Sequence, residues 1–489
     1  MAGKIERGNG ALNLFATKPI ARILRESEGG THQLKRTLGP INLVALGIGA
    51  VIGAGLFALT PKAAHENAGP AVIFSFMIAA VGCAFAGMCY SEFATMIPIA
   101  GSAYTYAYAT MGELLAWIIG WDLTLEYAVG AATVSVSWSK YLVRLLGTYG
   151  LSFPAALTRS PFEGGIVNLP AIFIILVISV ILIIGISESA KFNALIVALK
   201  VTIVLLVIGL GFFFVKHANY VPFIPPNTGK FGEYGWSGVM RAAGVIFFAY
   251  IGFDAVSTAA QETKNPRRDM PIGIIGSLAV CTLLYVGFSY VLTGIVNYKD
   301  MTDTAIYEAL HNIGYDWLGT GVVIGILAGY TSVILVMLLG QSRVFYSMSR
   351  DGLLPKLFSD IHPKFRTPWR CNLVFMVFVS LFSGLVPLSS LGDMTSIGTL
   401  LAFVLVCGGV MIMRKTHPNL PRPYRTPFVP VVPILGILVC FAMMASLDIW
   451  TWIRLVVWLV IGLTIYFTYS RYHSRLVTEP EPGPSKLKN

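Results

Sequence analysis

Two apolar stretches decide the fold, INLVALGIGAVIGAGLFAL at Ile41–Leu59 and GVIFFAYIGFDAVS at Gly244–Ser257. Each belongs to a run of about 20 mostly apolar residues, the length of a membrane span. Each also carries glycine within the run, where glycine favours unwinding of a helix. Unwound backbone at membrane depth is tolerated only where it lines a cavity inside the protein. We therefore expect two interrupted helices around an internal site, and we call residues 47–55 the first break and residues 247–254 the second break.

The composition of the whole chain indicates a membrane protein. Of its 489 residues, 55% are hydrophobic and only 12% are charged, whereas soluble domains carry about 25% charged residues. The sequence predicts an all-α integral membrane protein with twelve transmembrane helices and no room for a soluble domain. The expected spans are 40–59, 70–90, 114–138, 169–186, 194–215, 238–259, 273–296, 318–342, 371–388, 395–413, 431–447 and 452–470.

The positions of the two breaks predict an inverted repeat. They fall in the first and sixth spans, and five spans is an odd number, so a second copy of five must lie upside down in the membrane. Such repeats place the binding site of a transporter at their interface. The expected divisions are an N-terminal tail (1–39), a first repeat with helices 1–5 (40–215), a second repeat with helices 6–10 (238–413), helices 11–12 (431–470) and a C-terminal tail (471–489).

The distribution of basic residues predicts the orientation of the chain. The net charge is +11, and most of the 35 lysines and arginines fall in the two tails and in the loops that would share a side with them. Cytoplasmic loops are enriched in lysine and arginine, so both termini are expected in the cytoplasm of a multi-pass protein of the cell (inner or plasma) membrane. The charge therefore reports topology and does not indicate a nucleic-acid partner.

The two breaks offer complementary chemistry. Free N–H groups at the first break, with the positive end of the half-helix that begins near Gly53, would bind a carboxylate. Freed carbonyls at the second break would accept hydrogen bonds from an ammonium group. Together they indicate a free α-amino acid as the substrate. Two alternatives stay open: helix packing through Gly49 and Gly53, and core packing of Phe248 and Phe253, which are also candidates to gate the pocket.

Three ionisable residues inside predicted spans are site candidates, because buried charge in a membrane is costly. Lys200 could gain and lose a proton during transport, or it could extend its charge to the inner face. Glu126 could pair with Lys200, carry a proton, receive a cationic side chain of the substrate or make a structural hydrogen bond. Asp254 is expected to cap the half-helix after the second break, with ion coupling as a secondary role.

Five motifs together resemble the amino acid–polyamine–organocation superfamily, and within it most closely the cationic amino acid transporter family and its bacterial members. The resemblance covers residues 33–470. It is carried by GIGAVIGAGLF in the first break, FFAYIGFD in the second, ETKNPRRDMPIGI at Glu262–Ile274, SMSRDGLLP at Ser347–Pro355 and PYRTPFVPVVPILGI at Pro423–Ile437.

The resemblance implies the leucine-transporter fold, with the five-plus-five inverted repeat and helices 1 and 6 broken. It implies that the backbone of Gly53, Ala54 and Gly55 holds the substrate carboxylate. It implies that carbonyls at Val51, Phe248 and Ile251, around Ala249, hold the amine. Lys200 and Glu126, in Leu125-Glu126-Tyr127, match the family's proton-coupling lysine and its glutamate of helix 3. Ala54 departs from the family, in which a hydroxyl residue is common at that position.

The leading hypothesis is a secondary active transporter of L-amino acids, proton-coupled and working by alternating access. An exchanger without ion coupling and a membrane amino acid sensor are the alternatives. An enzyme is not expected, because the sequence contains no HExxH, GxSxG or nucleotide-binding loop. We expect no cofactor other than protons as the coupling ion, no catalytic residue and no metal site. Besides the amino acid and membrane lipid, a small accessory membrane subunit is an open partner.

Overall fold

The structure is a computed structural model that describes residues 14–19, 22–23, 38–97, 102–185, 190–312, 314 and 316–478. This part of the chain forms helices and loops, with two isolated β-bridges and no strand. Its helices of eight or more residues are α1 Pro40–Val51, α2 Val72–Met96, α3 Ser102–Thr110, α4 Glu113–Thr124, α5 Gly130–Thr148, α6 Leu169–Ile184, α7 Ala190–Gly211, α8 Gly235–Ile246, α9 Pro266–Ile295, α10 Ala305–Asn312, α11 Asp316–Arg350, α12 Trp369–Leu385, α13 Leu388–Thr416, α14 Val431–Ser446 and α15 Ile449–Ile465.

Within the described residues, eight helical segments are long and apolar enough to cross a membrane. Four shorter apolar helices, α1, α6, α12 and α14, accompany them. The expectation of an all-helical, multi-pass membrane protein is therefore confirmed. The eight segments are Gly55–Met96, Glu113–Thr148, Ala194–Phe214, Gly235–Ser257, Pro266–Ile295, Leu318–Arg350, Leu388–Thr416 and Ile449–His473.

The helices pack in two groups. In the first group α9 lies along both α1 and α2, and α2 also packs on α8. In the second group α5 packs on α11 and α6, and α6 packs on α12. Helix α7 joins the groups, since it contacts α1 and α9 on one side and α11 on the other. Both breaks belong to helices of the first group, so the site forms where that group faces the second.

Two ion pairs hold helix ends together at the face that carries residues 14–19. The Lys18 ammonium lies 2.6 Å from a carboxylate oxygen of Asp351, which follows α11 directly. Glu92 near the end of α2 accepts hydrogen bonds from the Arg414 guanidinium at 2.8 and 3.1 Å. Paired charges of this kind are costly to separate once buried. They tie the tail and α13 to the two helix groups at this face.

Candidate functional site

The first break interrupts the helix where the glycine pattern predicts it. Helix α1 ends at Val51, and Ile52 is extended, with a ψ of 105°. A π-helical turn then begins at Gly55 and continues into the next half-helix. The N–H groups of Gly53, Ala54 and Gly55 open that half-helix, and among the described residues none of them donates to a backbone carbonyl. Three adjacent donors are thus available to an acceptor such as a carboxylate.

The second break has a different local cause. Helix α8 tightens into a 3-10 turn at Phe247–Tyr250, and Ile251 is extended, with a ψ of 138°. Gly252 has a φ of +110°, a conformation that side chains other than hydrogen rarely allow. The chain then returns to helix at Ala255–Thr258. The carbonyls that the interruption frees are acceptors inside the protein.

The two breaks cross in direct backbone contact. A Cβ atom added at Gly55 would lie 2.2 Å from the Cα of Ala249. A Cβ added at Gly252 would lie 3.0 Å from the backbone of Ala50, at the other end of the crossing. Because no side chain fits at Gly55, glycine there is required for the crossing itself.

A tyrosine joins the breaks. The Tyr285 hydroxyl of α9 lies 3.0 Å from the carbonyl oxygen of Val51 and 2.8 Å from that of Ala249, and its single proton is shared between these two acceptors. Tyr285 is fully buried. Sequence reasoning missed this residue. The available signal was a hydroxyl-bearing residue at the middle of an apolar span, in VCTLLYVGF at 280–288.

Lys200 reaches the first break from α7. Its Nζ donates to the carbonyl oxygen of Gly49 at 2.7 Å, and the residue is 1% exposed. Its aliphatic chain packs against Gly329 of α11, where an added Cβ would lie 3.0 Å from the lysine Cε. The side chain therefore points into the protein and does not extend to the inner face. In the described part of the chain, no carboxylate lies within ion-pair distance of its Nζ.

Glu126 lies beside the second break rather than beside Lys200. Its carboxyl faces those of Asp254 and Asp122 and the Thr399 hydroxyl. The neighbouring Tyr127 donates a hydrogen bond of 2.6 Å to Asp254. Glu126 and Asp254 are both fully buried. The structure thus concentrates acidic groups beside the second break.

Aromatic side chains close both ends of the crossing. On one side Phe57 packs against Phe288 and Tyr330, with ring centroids 5.8 and 6.2 Å apart, and its carbonyl oxygen accepts a hydrogen bond of 2.9 Å from Tyr141. On the other side Phe253 packs edge to face on Tyr90, with centroids 5.7 Å apart. The predicted site residues Val51, Gly53, Ala54, Gly55, Phe248, Ala249, Ile251, Glu126, Lys200 and Asp254 all lie buried around this crossing.

Comparison with known proteins assigns the family. A family model described as amino acid permease matches residues 38–465. The methylthioribose transporter of Bacillus subtilis is 44% identical over 467 residues, covering 95% of this chain and 99% of that protein. The branched-chain amino acid permease BcaP of the same organism is 45% identical over 470 residues, with coverage of 95% and 99%.

More distant similarity reaches eukaryotic transporters. The vacuolar cationic amino acid transporter 4 of Arabidopsis thaliana is 36% identical over 411 residues, covering 83% of this chain and 68% of that protein. The bacterial relatives match along almost their whole length, which fits the expectation of a bacterial-type member. With an interrupted helix pair at its centre, this chain belongs to the amino acid permease family of the amino acid–polyamine–organocation superfamily, a family of membrane transporters.

Proposed function

We propose that this protein is a secondary active transporter that carries L-amino acids by proton-coupled symport and alternating access. The crossing of the two breaks is the observation that carries the proposal. At this crossing, three N–H groups of the first break that have no backbone acceptor among the described residues lie close to the backbone of the second break, which supports the proposal. Donors next to acceptors in a buried site match the carboxylate and ammonium of an α-amino acid.

The proposed architecture is the leucine-transporter fold with twelve membrane spans and a five-plus-five inverted repeat. Pro40–Val51 and Gly55–Leu59 would together form the first span, and α14 and α15 would lie outside the repeat. The two packing groups support a mobile first group that moves against the second. The basic tails and loops support cytoplasmic termini in the cell membrane.

Within the site, the N–H groups of Gly53, Ala54 and Gly55 would hold the substrate carboxylate. The carbonyls of Val51, Phe248 and Ile251 would hold the ammonium group. The carbonyl of Val51 accepts from Tyr285, and a carbonyl oxygen has a second lone pair for the substrate. Substrate binding would thus stabilise the contact between the two interrupted helices.

Glu126 is the proposed selector of the substrate side chain. It is buried near the second break and has acidic neighbours. An acidic group at this depth would favour a cationic side chain through a charge-assisted hydrogen bond. The names of the relatives include branched-chain and cationic amino acids and methylthioribose. Methylthioribose has neither carboxylate nor ammonium, so only its neutral oxygens would accept from the donors of the first break, without charge assistance.

Lys200 is the proposed proton-coupling residue. Its ammonium donates to Gly49 two residues before the helix ends at Val51, so its charge acts directly on the first break. Loss of the proton leaves a neutral amine that still has hydrogens to donate but no longer carries a charge. The strength of this tie would therefore change with protonation, and with it the equilibrium between the two openings of the site. No cofactor is required for this cycle.

Uptake into proteoliposomes tests the proposal. The panel contains L-isoleucine, L-valine, L-arginine, L-lysine and methylthioribose, each with and without an inward proton gradient. We expect gradient-driven uptake of at least one amino acid, loss of that uptake in Lys200→Ala and normal uptake in the control Lys216→Ala, an exposed lysine far from the breaks. Uptake that ignores the gradient and requires a preloaded interior would instead make the protein an exchanger. Uptake of methylthioribose alone would overturn the assignment of amino acids as the substrate.

A further inference from the structure

A cavity with a volume of about 470 Å³ opens at the end of α5 that lies far from residues 14–19. In the proposed orientation this is the outer face. Ligand pockets typically measure roughly 300–1,000 Å³, so the cavity is large enough for a small molecule. Its charged lining consists of Lys140, Arg144, Arg159, Glu163 and Asp303.

The loop between α5 and α6 builds one wall of the cavity and is tightly organised. Ser160 and Glu163 form a capping box, in which the Ser160 hydroxyl donates to Glu163 Oε2 at 2.9 Å. The N–H of Gly165 donates to the carbonyl of Ser160 at 3.0 Å, and Thr158 forms a β-bridge with Asn168. These contacts fix Glu163 Oε1 on the cavity side, where it lies 3.4 Å from Lys140. Hydrogen bonds within the loop therefore hold this wall in place.

The acidic groups of the cavity are only partly neutralised. Lys140 Nζ lies 2.6 Å from Asp303 Oδ2 and 3.4 Å from Glu163 Oε1. One ammonium thus serves two carboxylates, so one negative charge is left over at this side of the cavity. The three side chains are between 23% and 32% exposed, which leaves the carboxylates accessible to a small cation.

The two arginines supply the opposite charge. Among the described residues, neither Arg144 nor Arg159 lies within ion-pair distance of a carboxylate. The guanidinium of Arg144 stacks on the ring of Tyr307, with 4.6 Å between its Cζ and the ring centroid. Stacking holds the plane of a guanidinium and leaves its N–H groups at the edges free for a carboxylate. The cavity thus holds two arginines that have no carboxylate partner in the described part of the chain, beside two carboxylates that share one lysine.

We propose that this cavity is a second binding site for an α-amino acid zwitterion, with the carboxylate on Arg144 and Arg159 and the ammonium on Asp303 and Glu163. The inference rests on the proposed function, since the same amino acid would next reach the breaks. The residue after Lys140 is Tyr141, which donates to Phe57 of the aromatic cover over the first break. Helix α5 therefore contributes both to the cavity and to that cover, and in this proposal the outer site would capture substrate before the cover opens.

Equilibrium binding to the purified full-length protein tests the proposal. The probes are labelled L-isoleucine and L-arginine, one from each amino acid class in the relatives' names. We expect about two equivalents per chain in the wild type and about one in Arg144→Gln/Arg159→Gln. The control Lys216→Gln/Lys230→Gln removes two exposed positive charges outside the cavity and should retain two equivalents. In proteoliposomes, the arginine variant should raise KM about tenfold and leave kcat unchanged, since a charge-assisted pair is lost only during capture.

Analogues of the amino acid that lack one charged group identify which groups the outer site binds. The desamino acid, which keeps the carboxylate, and the decarboxylated amine should each displace the second equivalent much less well than the amino acid. Binding of the same number of equivalents of amino acid to the wild type and to the arginine variant would overturn the proposal of an outer site. Displacement by the desamino acid that is as strong as displacement by the amino acid would show a site for anions and not for zwitterions. Binding is scored separately from uptake. If a second equivalent of amino acid binds and depends on the arginines, but no uptake occurs, the outer site stands and the transport proposal is refuted. If uptake occurs and only one equivalent binds, the transport proposal stands and the outer site is refuted.

Discussion

The two breaks interrupt their helices in chemically opposite ways. The first break is made of glycine and presents N–H donors, and its carbonyl at Gly49 binds the Lys200 ammonium. The second break is rich in aromatic residues and presents carbonyls, and the buried carboxyls of Glu126 and Asp254 lie beside it. We propose that the site between them is polarised, with the N–H donors and the Lys200 ammonium at the first break and the buried acids beside the second break. Under the proposed function, a zwitterion would form charge-assisted hydrogen bonds in this site, and an uncharged ligand would not.

Steric change at the crossing should have the largest effect. In Gly55→Ala the new Cβ would overlap Ala249, whereas in Gly53→Ala it would lie 3.4 Å from Val333, an ordinary contact. Overpacking of this kind costs about 1–3 kcal/mol, so we expect uptake to fall at least about tenfold in Gly55→Ala and little in Gly53→Ala. Uptake and thermal unfolding of both variants measure this. Equal behaviour of the two variants would show that the crossing does not persist in the transport cycle.

Removal of the hydroxyl that spans the breaks should come next. Tyr285→Phe keeps the ring and deletes the donor to Val51 and Ala249. A hydrogen bond contributes about 0.5–1.5 kcal/mol net, so kcat should fall by about three- to tenfold. Tyr290→Phe on the same helix is the control, because its ring packs on Tyr220, away from the breaks. A normal kcat in Tyr285→Phe would mean that the hydroxyl only fills space.

Neutralising the charge of Glu126 separates the contribution of the acidic residues from that of the rest of the site. Glu126→Gln retains shape and removes one negative charge beside the second break. If Glu126 selects the side chain, uptake of L-arginine should fall about tenfold and uptake of L-isoleucine by much less, since only the cation loses a charge-assisted partner. Asp300→Asn is the control, since Asp300 is an exposed carboxylate outside both breaks. An equal loss of both substrates would assign Glu126 to the structure or to proton transfer instead.

The smallest effect is expected from a substitution that crowds the side chain of Lys200. Gly329→Ala places a Cβ 3.0 Å from Lys200 Cε, and a flexible side chain can move by a few tenths of an ångström. We expect gradient-driven uptake to fall by about two- to threefold, which corresponds to less than about 1 kcal/mol. Gly321→Ala on the same helix meets open space and should have no effect. A loss as complete as that of Lys200→Ala would show that the lysine has no freedom to adjust.

Glycine pattern and buried charge made much of the site predictable. The glycines at 47–55 and Gly252 mark both interruptions: Gly252 has a φ that few other residues adopt, and Gly55 leaves no room for a side chain against Ala249. A lysine within an apolar run is equally visible. The spacing of residues along one helix, however, does not specify which neighbouring helix a given side chain faces. The sequence therefore left open whether Glu126 meets Lys200, and the structure places it beside Asp254.

Tyr285 shows why the remainder was not predictable. In a sequence, a tyrosine in an apolar span is indistinguishable from the aromatic residues that fill a core. Its significance arises only when α9 packs along α1, which brings the hydroxyl within 3.0 Å of two carbonyls from different helices. The contact of Gly55 with Ala249 depends in the same way on two segments almost two hundred residues apart.

Competition binding tests the polarised site most directly. Labelled L-isoleucine or L-arginine is bound to Arg144→Gln/Arg159→Gln, so that only the breaks are occupied. The competitors are the unlabelled amino acid, its decarboxylated amine, its desamino acid and methylthioribose. Each analogue that lacks one charged group should compete about ten- to a hundredfold less well, because one side of the site is left unpaired. Equal competition by an analogue that lacks a charge, or tighter competition by methylthioribose, would contradict the account.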